Sequence, residues 1–141
     1  MSDLSAELRA HVRARAKRRC EYCFTPENLT LVSHEIDHVI ALKHGGETVP
    51  ENLALCCTIC NKHKGSDIAS IDRETGNIQR LFHPRNDCWH DHFQLRGHEI
   101  VPCSGIGRVT VQLLQLNRPE RLKERALMVQ FGLLEPGQKL V

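Results

Sequence analysis

Apolar residues near the N-terminus recur at every fourth position, which is the spacing of one face of a helix. They are Leu4, Leu8 and Val12. The pattern predicts a helix over residues 4–19, with Ser2 or Asp3 available to cap its first turn. A tight turn over residues 20–23 follows, and residues 25–28 predict a second turn.

Short strands are predicted in the next part of the chain. Residues 29–42 are rich in β-branched and aliphatic side chains, and a strand there should end near Asp37 and His38. The glycine-containing residues 44–47 break this segment, and residues 52–56 predict a second short strand.

Helical and extended segments alternate in the rest of the chain. Residues 58–71 predict a helix, with Gly65 as a candidate break. The turn at residues 72–77 lies between two apolar runs and predicts a hairpin. The remaining predicted elements are a short helix over 87–95, an extended segment over 97–103, and helices over 106–116 and 119–134.

The order of these elements predicts an α+β fold. A length of 141 residues suits one compact domain with an elaboration. We expect a basic N-terminal helix at 1–19, a core at 20–69, and a C-terminal α+β extension at 70–141 that packs on the core. Hydrophobic residues make up 40% of the chain and aromatic residues 4%, so we expect a small hydrophobic core. Such a core favours additional stabilisation, for example by a bound metal ion.

The distribution of charge is more informative than the net charge of +2. Basic residues without any acidic neighbour occupy much of the stretch from position 9 to position 19: Arg9, Arg13, Arg15, Lys17, Arg18 and Arg19. Such a run suits the backbone of a nucleic acid, and a solvated helix face explains it equally well.

The sequence shows no apolar run near the roughly 20 residues that span a bilayer. Its N-terminus also lacks the basic and apolar regions of a secretory signal, so we expect a cytoplasmic protein. In that reducing compartment we expect no disulfide framework among the seven cysteines, and paired cysteines are expected as metal ligands or catalytic groups.

Two Cys-x-x-Cys pairs are the most specific structural signal in the sequence. The pairs are Cys20 with Cys23 and Cys57 with Cys60. Two such turns offer four thiolates to one closed, tetrahedral, structural zinc site, whereas a redox role explains one pair but not the second. Cys56 adjoins the second pair, but only Cys57 has the two-residue gap to Cys60. Cys88 and Cys103 are expected as free, buried thiols.

The residues between and after these pairs contain the parts needed to hydrolyse a phosphodiester. That reaction needs a base to activate water, a cation to stabilise charge, and rigid positioning. On a strand, Asp37 and His38 point to opposite sides, so one side chain can hold a cation while the other acts as a base. A helix that starts at Asn61 would bring a side-chain oxygen back to the same ion.

The sequence resembles the HNH endonuclease family over residues 18–66. The matching residues are Cys20-Glu-Tyr-Cys23, Asp37-His38, Gly45-Gly46, Asn52-Leu53 and Cys57-Thr-Ile-Cys60-Asn61-x-x-Lys64-Gly65. The resemblance implies a ββα-metal (His-Me finger) core with zinc knuckles, and an enzyme that cuts DNA and leaves 5′-phosphate ends. The partner that it implies is double-stranded DNA, and no membrane is expected.

The resemblance also implies a role for each site residue. His38 would be the general base that activates water, and Asp37 would bind the catalytic cation. Asn61 would be the second cation ligand; many members have His at this position, so the chain resembles the HNN variant. Asn52 would hold the His38 loop in place by hydrogen bonds to the backbone. Oxygen ligands favour Mg²⁺ or Mn²⁺ as the catalytic ion, while Zn²⁺ would be structural.

Several other side chains are candidates for contact with nucleic acid or metal. Lys64 follows the second knuckle and would contact either a phosphate or solvent. His34 would share a strand face with His38, either as a substrate contact or as a half-buried strand residue, and Glu35 would share a face with Asp37 as an outer-shell ligand. Three residues of the basic run are further candidates: Arg15, Arg18 and Arg19.

Alternative functions remain open at this point. A zinc-clamped module that binds nucleic acid without cutting it would keep the knuckles but would not need Asp37, His38 and Asn52 intact. A redox protein would not need the second cysteine pair. Four histidines of the second half could suggest a second metal site: His83, His90, His92 and His98. No pair of them has the spacing of metal ligands together with a carboxylate or cysteine motif, so we expect no metal site there. The oligomeric state is open.

Overall fold

The computed structural model of the chain describes residues 4–134, and over that range the fold is α+β, as the sequence predicted. The helices are α1 (Ala6–Arg15), α2 (Thr58–Lys64), α3 (Trp89–His92), α4 (Gly105–Leu113) and α5 (Pro119–Gln130). The strands are β1 (Glu35–His38), β2 (Leu53–Cys56), β3 (Ala69–Ile71), β4 (Ile78–Arg80), β5 (Phe93–Arg96) and β6 (Glu99–Pro102). Strands that follow one another pair antiparallel, β1 with β2, β3 with β4, and β5 with β6.

The contacts within the chain divide it into two compact units. Among the described residues, the first unit contains residues 4–68 together with His83–Asn86, and the second contains Ala69–Phe82 and residues 87–134. The first unit therefore includes a short segment that the sequence assigned to the C-terminal extension. The packing of that extension on the core remains a prediction.

The first unit is built on the pair of strands β1 and β2. Glu35 lies opposite Cys56, and His38 lies opposite Leu53. Every residue of β2 is buried, and α1 covers this strand. The apolar cluster between them consists of Val12, Leu53 and Leu55, with Leu4, Leu8, Ala16 and Ile36 packed against it. Complete burial of a Leu or Val side chain contributes about 1.5–3 kcal/mol, so this small cluster holds the helix on the strands.

Helix α1 begins at a serine cap. Ser5 Oγ accepts a hydrogen bond of 3.1 Å from Leu8 N, which satisfies one of the free N–H groups of the first turn. The predicted caps Ser2 and Asp3 lie outside the described residues. Within the described residues the helix begins at Ala6, two residues after the predicted start at residue 4.

Helix α1 ends at Arg15, before the end that the sequence predicted. Lys17 and Arg18 have φ angles of 54° and 55°, in the left-handed region that favours glycine. Lys17 N donates to Ala14 O and Arg18 N to Arg13 O, which closes the last turn as a Schellman motif. A lysine in this conformation costs about 1–2 kcal/mol relative to right-handed backbone, and the apolar periodicity carries no sign of it.

The segment His83–Asn86 joins the first unit through an ion pair. The guanidinium of Arg85 donates to the carboxylate of Glu21, and both side chains are largely buried. The other oxygen of Glu21 accepts a hydrogen bond of 2.8 Å from Leu55 N, and Glu21 N donates to Leu55 O at 2.9 Å. Burial and the nearby Arg15 lower the pKa of Arg85 to about 10, so its guanidinium stays cationic at neutral pH.

Helix α2 ends at Lys64, whereas the sequence predicted a helix as far as residue 71. Gly65 follows with a φ angle of 54°, and its N–H donates to Asn61 O. The candidate break is thus the end of the helix, and the residues after it turn away to form β3.

The second unit consists of short hairpins and helices. Strands β3 and β4 flank the turn that the sequence predicted. The predicted helix over 87–95 was partly wrong, because α3 contains only Trp89–His92. The side chains of Phe93–Arg96 are alternately buried and exposed, which is the period of a strand. Asp72 accepts a hydrogen bond of 2.8 Å from Arg108 on α4. Within the described part of the chain, no helix combines the length and apolar character needed to cross a bilayer.

Candidate functional site

Four cysteine thiols of the first unit converge on one point. The Sγ atoms of Cys20, Cys23, Cys57 and Cys60 all lie within 4.8 Å of one another, and all four residues are buried. Cys57 caps α2, where its Sγ accepts a hydrogen bond of 3.4 Å from Cys60 N. The sulfurs of Cys23 and Cys57 are 3.7 Å apart, close to the edge of about 3.8 Å in a tetrahedron with zinc–sulfur bonds of about 2.3 Å. The cluster fits the structural zinc site that the sequence predicted.

The electrostatics of the cluster also fit a cation. Burial and the neighbouring thiols raise the pKa values of Cys20 and Cys60 well above the usual thiol value, because adjacent thiolates repel and lose their solvation. A divalent cation reverses both effects. Cys56 is buried beside Cys20 but is not one of the four converging residues. Cys88 and Cys103 are exposed, so the prediction that they are buried was wrong.

Asp37 lies in a buried polar network on β1. Its surface is 6% exposed. Tyr22 Oη donates a hydrogen bond of 3.0 Å to Asp37 Oδ2, and Lys64 Nζ lies 3.3 Å from Oδ1 and 3.1 Å from Oδ2. Burial raises the pKa of Asp37, and the Lys64 ammonium opposes that rise. Because a carboxylate has about four lone-pair positions, Asp37 retains acceptor capacity for a cation.

His38 is the last residue of β1 and is half buried. Its side chain points to the face of the strand opposite to Asp37, as residues adjacent on a strand do. His38 Nε2 lies 2.9 Å from Thr48 Oγ1, which belongs to the loop between β1 and β2. The hydroxyl of Thr48 therefore fixes the orientation of the imidazole ring.

Asn52 closes the loop that follows His38. Its Oδ1 accepts a hydrogen bond from Ile40 N, and its Nδ2 donates to Ile40 O and to Glu47 O, each at 2.9 Å. A Cβ atom on Gly46 would lie 1.7 Å from Ile40 O, so only glycine allows the loop to come this close. The structure thus places Asn52 where the family resemblance predicts a loop-holding residue, and its part in catalysis stays a prediction.

Asn61 and Glu35 lie side by side on α2 and β1. Asn61 Nδ2 donates to Glu35 Oε2, and Glu35 shares a strand face with Asp37. These three side chains offer carboxylate and amide oxygens, which are the hard ligands that Mg²⁺ and Mn²⁺ prefer. Within residues 4–134, however, the four cysteines form the one group of three or more Cys, His, Asp or Glu side chains whose ligand atoms converge. A catalytic cation on Asp37 and Asn61 remains a prediction.

Lys64 and His34 are buried, which removes them as direct contacts of a phosphate in this structure. Lys64 is 1% exposed, and its ammonium donates to the carbonyls of His38 at 3.4 Å and Val39 at 3.1 Å besides the carboxylate that it pairs with. His34 is 2% exposed, and its Nε2 lies 2.8 Å from Thr25 O. The sequence predicted a solvated Lys64 and a half-buried His34 as alternatives to substrate contact, and both side chains are more buried than that.

The three arginines that were candidates for contact with nucleic acid differ in accessibility. Arg15 donates to Pro50 O at 2.9 Å and to Leu53 O at 2.7 Å, so its guanidinium holds α1 on β2. The Arg18 side chain is 71% exposed, and Arg19 is half buried. Arg15 therefore has a structural role, and Arg18 keeps its place as a candidate.

Two of the four histidines considered in the second half make local hydrogen bonds through their rings. His92 Nδ1 lies 2.7 Å from Ser104 Oγ, and His83 Nδ1 accepts from Arg85 N at 3.2 Å. Over residues 4–134, no histidine belongs to a group of converging metal ligands.

Tyr22 and Thr48 are site residues that the sequence did not identify. Tyr22 lies between the two cysteines of the first knuckle, and this position is the one signal that a residue there touches the site. Thr48 follows the glycine pair in a loop, where nothing in the pattern distinguishes a hydroxyl that holds a catalytic ring from one that faces solvent.

A comparison with protein-family models identifies the same part of the chain. Residues 20–67 match the model of the HNH endonuclease family. The matched segment contains both cysteine knuckles, β1, β2 and α2, and therefore every residue of the site around Asp37 and His38. Neither the curated proteins nor the solved structures gave a match.

Proposed function

We propose that the protein is a metal-dependent endonuclease that hydrolyses phosphodiester bonds in double-stranded DNA, because residues 20–67 match the model of the HNH endonuclease family. The observation that carries this proposal is the support of His38. One nitrogen of its ring is held by Thr48, and the loop behind it is held by three hydrogen bonds of Asn52. A general base needs a fixed position within reach of the proton that it takes.

In the proposed reaction His38 takes a proton from water. If Nε2 carries the ring proton and donates it to Thr48 Oγ1, the lone pair of Nδ1 is free to accept a proton. The water oxygen then bonds to phosphorus as the bond between phosphorus and the 3′ oxygen breaks. The 3′ oxygen takes a proton from solvent, so the products are a 5′-phosphate and a 3′-hydroxyl.

Asp37 and Asn61 would hold the catalytic ion, with Glu35 next to Asn61 as an additional carboxylate. The proposed Mg²⁺ or Mn²⁺, when bound, stabilises negative charge on the phosphate and on the leaving oxygen. Tyr22 and Lys64 orient the Asp37 carboxylate from the protein side. Zinc on the four cysteines would be structural, because all four ligand positions of a tetrahedral ion are filled by protein sulfur.

A second candidate function is that of a zinc-clamped module that binds nucleic acid without cutting it. One observation favours it: the Lys64 ammonium lies against both oxygens of Asp37 and neutralises the carboxylate that would hold the ion. A cation at this position has to share Asp37 with an ammonium, which weakens its binding by charge repulsion.

Plasmid nicking separates the two candidates. The zinc-loaded protein should convert supercoiled plasmid to the open circle with Mg²⁺ or Mn²⁺, and His38→Ala should slow this by about 10²–10⁴-fold, the usual contribution of a general base. His98→Ala, at an exposed histidine of the second unit, is the matched control and should cut normally. Nicking that persists in His38→Ala would remove His38 as the base. No nicking with any divalent ion, together with intact DNA binding, would favour the binding module.

A further inference from the structure

A basic cleft lies at the end of α1, on residues that play no part in the reaction proposed above. It encloses about 750 Å³, and its walls include the cations Arg13, Lys17, Arg18 and Arg19 and a single acid, Glu27. We call these five residues the basic cleft. Asn28 and Ser33 add polar side chains to its wall.

Glu27 neutralises only part of the cleft, because it is the one acid in a wall that contains four cations. Its Oε2 accepts from His34 N at 2.9 Å and from Arg13 Nε at 3.4 Å, while Oε1 accepts from Arg18 at 3.3 Å. The carboxylate is 11% exposed, whereas the Arg18 side chain beside it is 71% exposed. The outward-facing charge of the cleft is therefore positive.

The backbone of the cleft is also unusual. Lys17 and Arg18 both adopt left-handed φ angles, of 54° and 55°, at the place where a Schellman motif ordinarily has glycine. Glycine would close this helix end with less strain, but it would remove a cation from the cleft. Both residues with this backbone are exposed, and both line the cleft.

We propose that the basic cleft binds phosphates of the DNA backbone other than the one that is cut. The proposal rests on the proposed function, since it names where the same substrate is held. Its ligand chemistry is that of a polyanionic double strand, because Lys17 and Arg18 are exposed cations that line the same cleft. Arg13, which also lines it, is less exposed and is paired with Glu27. Arg15 is not part of the proposed phosphate contact, because its guanidinium donates to main-chain carbonyls.

The experiment measures DNA binding in a protein that cannot cut. The full-length, zinc-loaded His38→Ala protein is titrated into a short labelled duplex at several KCl concentrations, followed by fluorescence anisotropy. Arg18→Gln and Lys17→Gly should each weaken binding about three- to ten-fold and lower the slope of log affinity against log salt by about one, as loss of one phosphate contact does. Lys123→Gln, at an exposed lysine of α5, is the control and should leave both quantities unchanged.

Lys17→Gly makes the test decisive. The substitution relaxes the left-handed backbone, so the melting temperature should stay the same or rise while DNA affinity falls. If Lys17 had only a structural role, Lys17→Gly would change the melting temperature and the DNA affinity in the same direction. Unchanged affinity and salt slope in both cleft variants would overturn the proposal, as would weakening confined to single-stranded RNA.

Failure of the cleft and failure of the proposed function give different results. If the wild-type protein does not nick plasmid but the cleft variants lose affinity for duplex DNA, the proposed DNA contact is supported and the endonuclease proposal is wrong. If nicking depends on His38 while the cleft variants bind DNA normally, the endonuclease proposal is supported and the proposed DNA contact in the basic cleft is wrong.

Discussion

The hydroxyl of Tyr22 donates a hydrogen bond of 3.0 Å to Oδ2 of Asp37. Tyr22 lies between Cys20 and Cys23, so a residue of the first zinc knuckle touches the carboxylate proposed to hold the catalytic ion. Burial and the Asp37 charge raise the pKa of Tyr22 well above its usual value, which keeps the phenol protonated as a donor. This hydrogen bond therefore connects the structural metal site to the proposed reaction site.

Tyr22→Phe should separate the two sites without removing the ring. We expect normal zinc content and a loss of about 1.5–3 kcal/mol in the free energy of unfolding, because a buried carboxylate loses a donor. Nicking should then need a higher Mg²⁺ concentration, since Asp37 is less firmly oriented. A titration of nicking rate against Mg²⁺ checks this, and an identical Mg²⁺ dependence in the variant would show that the contact is only structural.

Asn52 offers a graded test of the loop behind His38. Asn52→Ala loses three hydrogen bonds and should destabilise the protein by about 2–4 kcal/mol in urea unfolding. Asn52→Asp should be worse, because its carboxylate would face the carbonyl oxygens of Ile40 and Glu47 where the amide now donates. Equal effects of the two substitutions would argue against the proposed network.

Thr48 is predicted to position the ring of His38. Thr48→Val keeps the shape of the side chain and removes the hydroxyl that lies 2.9 Å from Nε2, so we expect the nicking rate to fall by about ten-fold or more from misorientation of the base. Thr48→Ser restores the hydroxyl and should recover most of the rate. The pH profile of nicking should change in the Val variant and not in the Ser variant; a rate loss of equal size in both would point to packing instead.

The zinc site can be tested with adjacent cysteines. Cys57→Ala removes one of the four converging thiols and should abolish stoichiometric zinc binding and cooperative unfolding of the first unit, as loss of a structural metal does. Cys56→Ala, one residue away and outside the group, should retain zinc. Metal analysis of the purified proteins measures both. Loss of zinc in Cys56→Ala alone would move the ligand by one position.

Glu27 is predicted to make the protein sensitive to acid. Burial alone would raise the pKa of Glu27, but the His34 N–H and the Arg13 guanidinium outweigh it and lower the pKa below the usual value. A carboxyl whose pKa is depressed by folding stabilises the protein above its unfolded pKa of about 4.3, and this contribution disappears as the pH falls through the folded pKa.

Glu27→Gln should therefore lower stability at neutral pH by up to about 1 kcal/mol, the scale of a part-exposed ion pair. Its melting temperature should also fall less steeply than that of the wild type between neutral and acidic pH. Thermal unfolding over this pH range measures the difference, and parallel curves for the two proteins would contradict the assignment.

The sequence predicted those parts of the fold and site that depend on local pattern. Doubled cysteine spacing, the order of strand, loop and strand, and the Asp37-His38 pair all appear in the structure as predicted elements. These features are visible because metal geometry and strand alternation restrict which residues can stand at each position.

The parts that could not be predicted depend on contacts between distant residues. Lys64 looks like a surface lysine until α2 packs on β1 and brings its ammonium to Asp37. Lys17 continues a helical pattern, but its backbone turns to the left-handed region. Phe93–Arg96 has the residues of either a helix or a strand, and pairing with β6 decides between them.

The ion pair of Glu21 with Arg85 extends the part of the chain that the family-matched segment needs in order to fold alone. The family match ends at residue 67, yet the carboxylate inside the first knuckle is neutralised by a side chain that comes after the β3–β4 hairpin. A chain cut after residue 69 would leave Glu21 buried without its cation, and loss of one partner from a buried pair typically costs about 3–5 kcal/mol. During synthesis all four cysteines precede Arg85 along the chain, so the cation that neutralises Glu21 is added only after the zinc ligands have emerged.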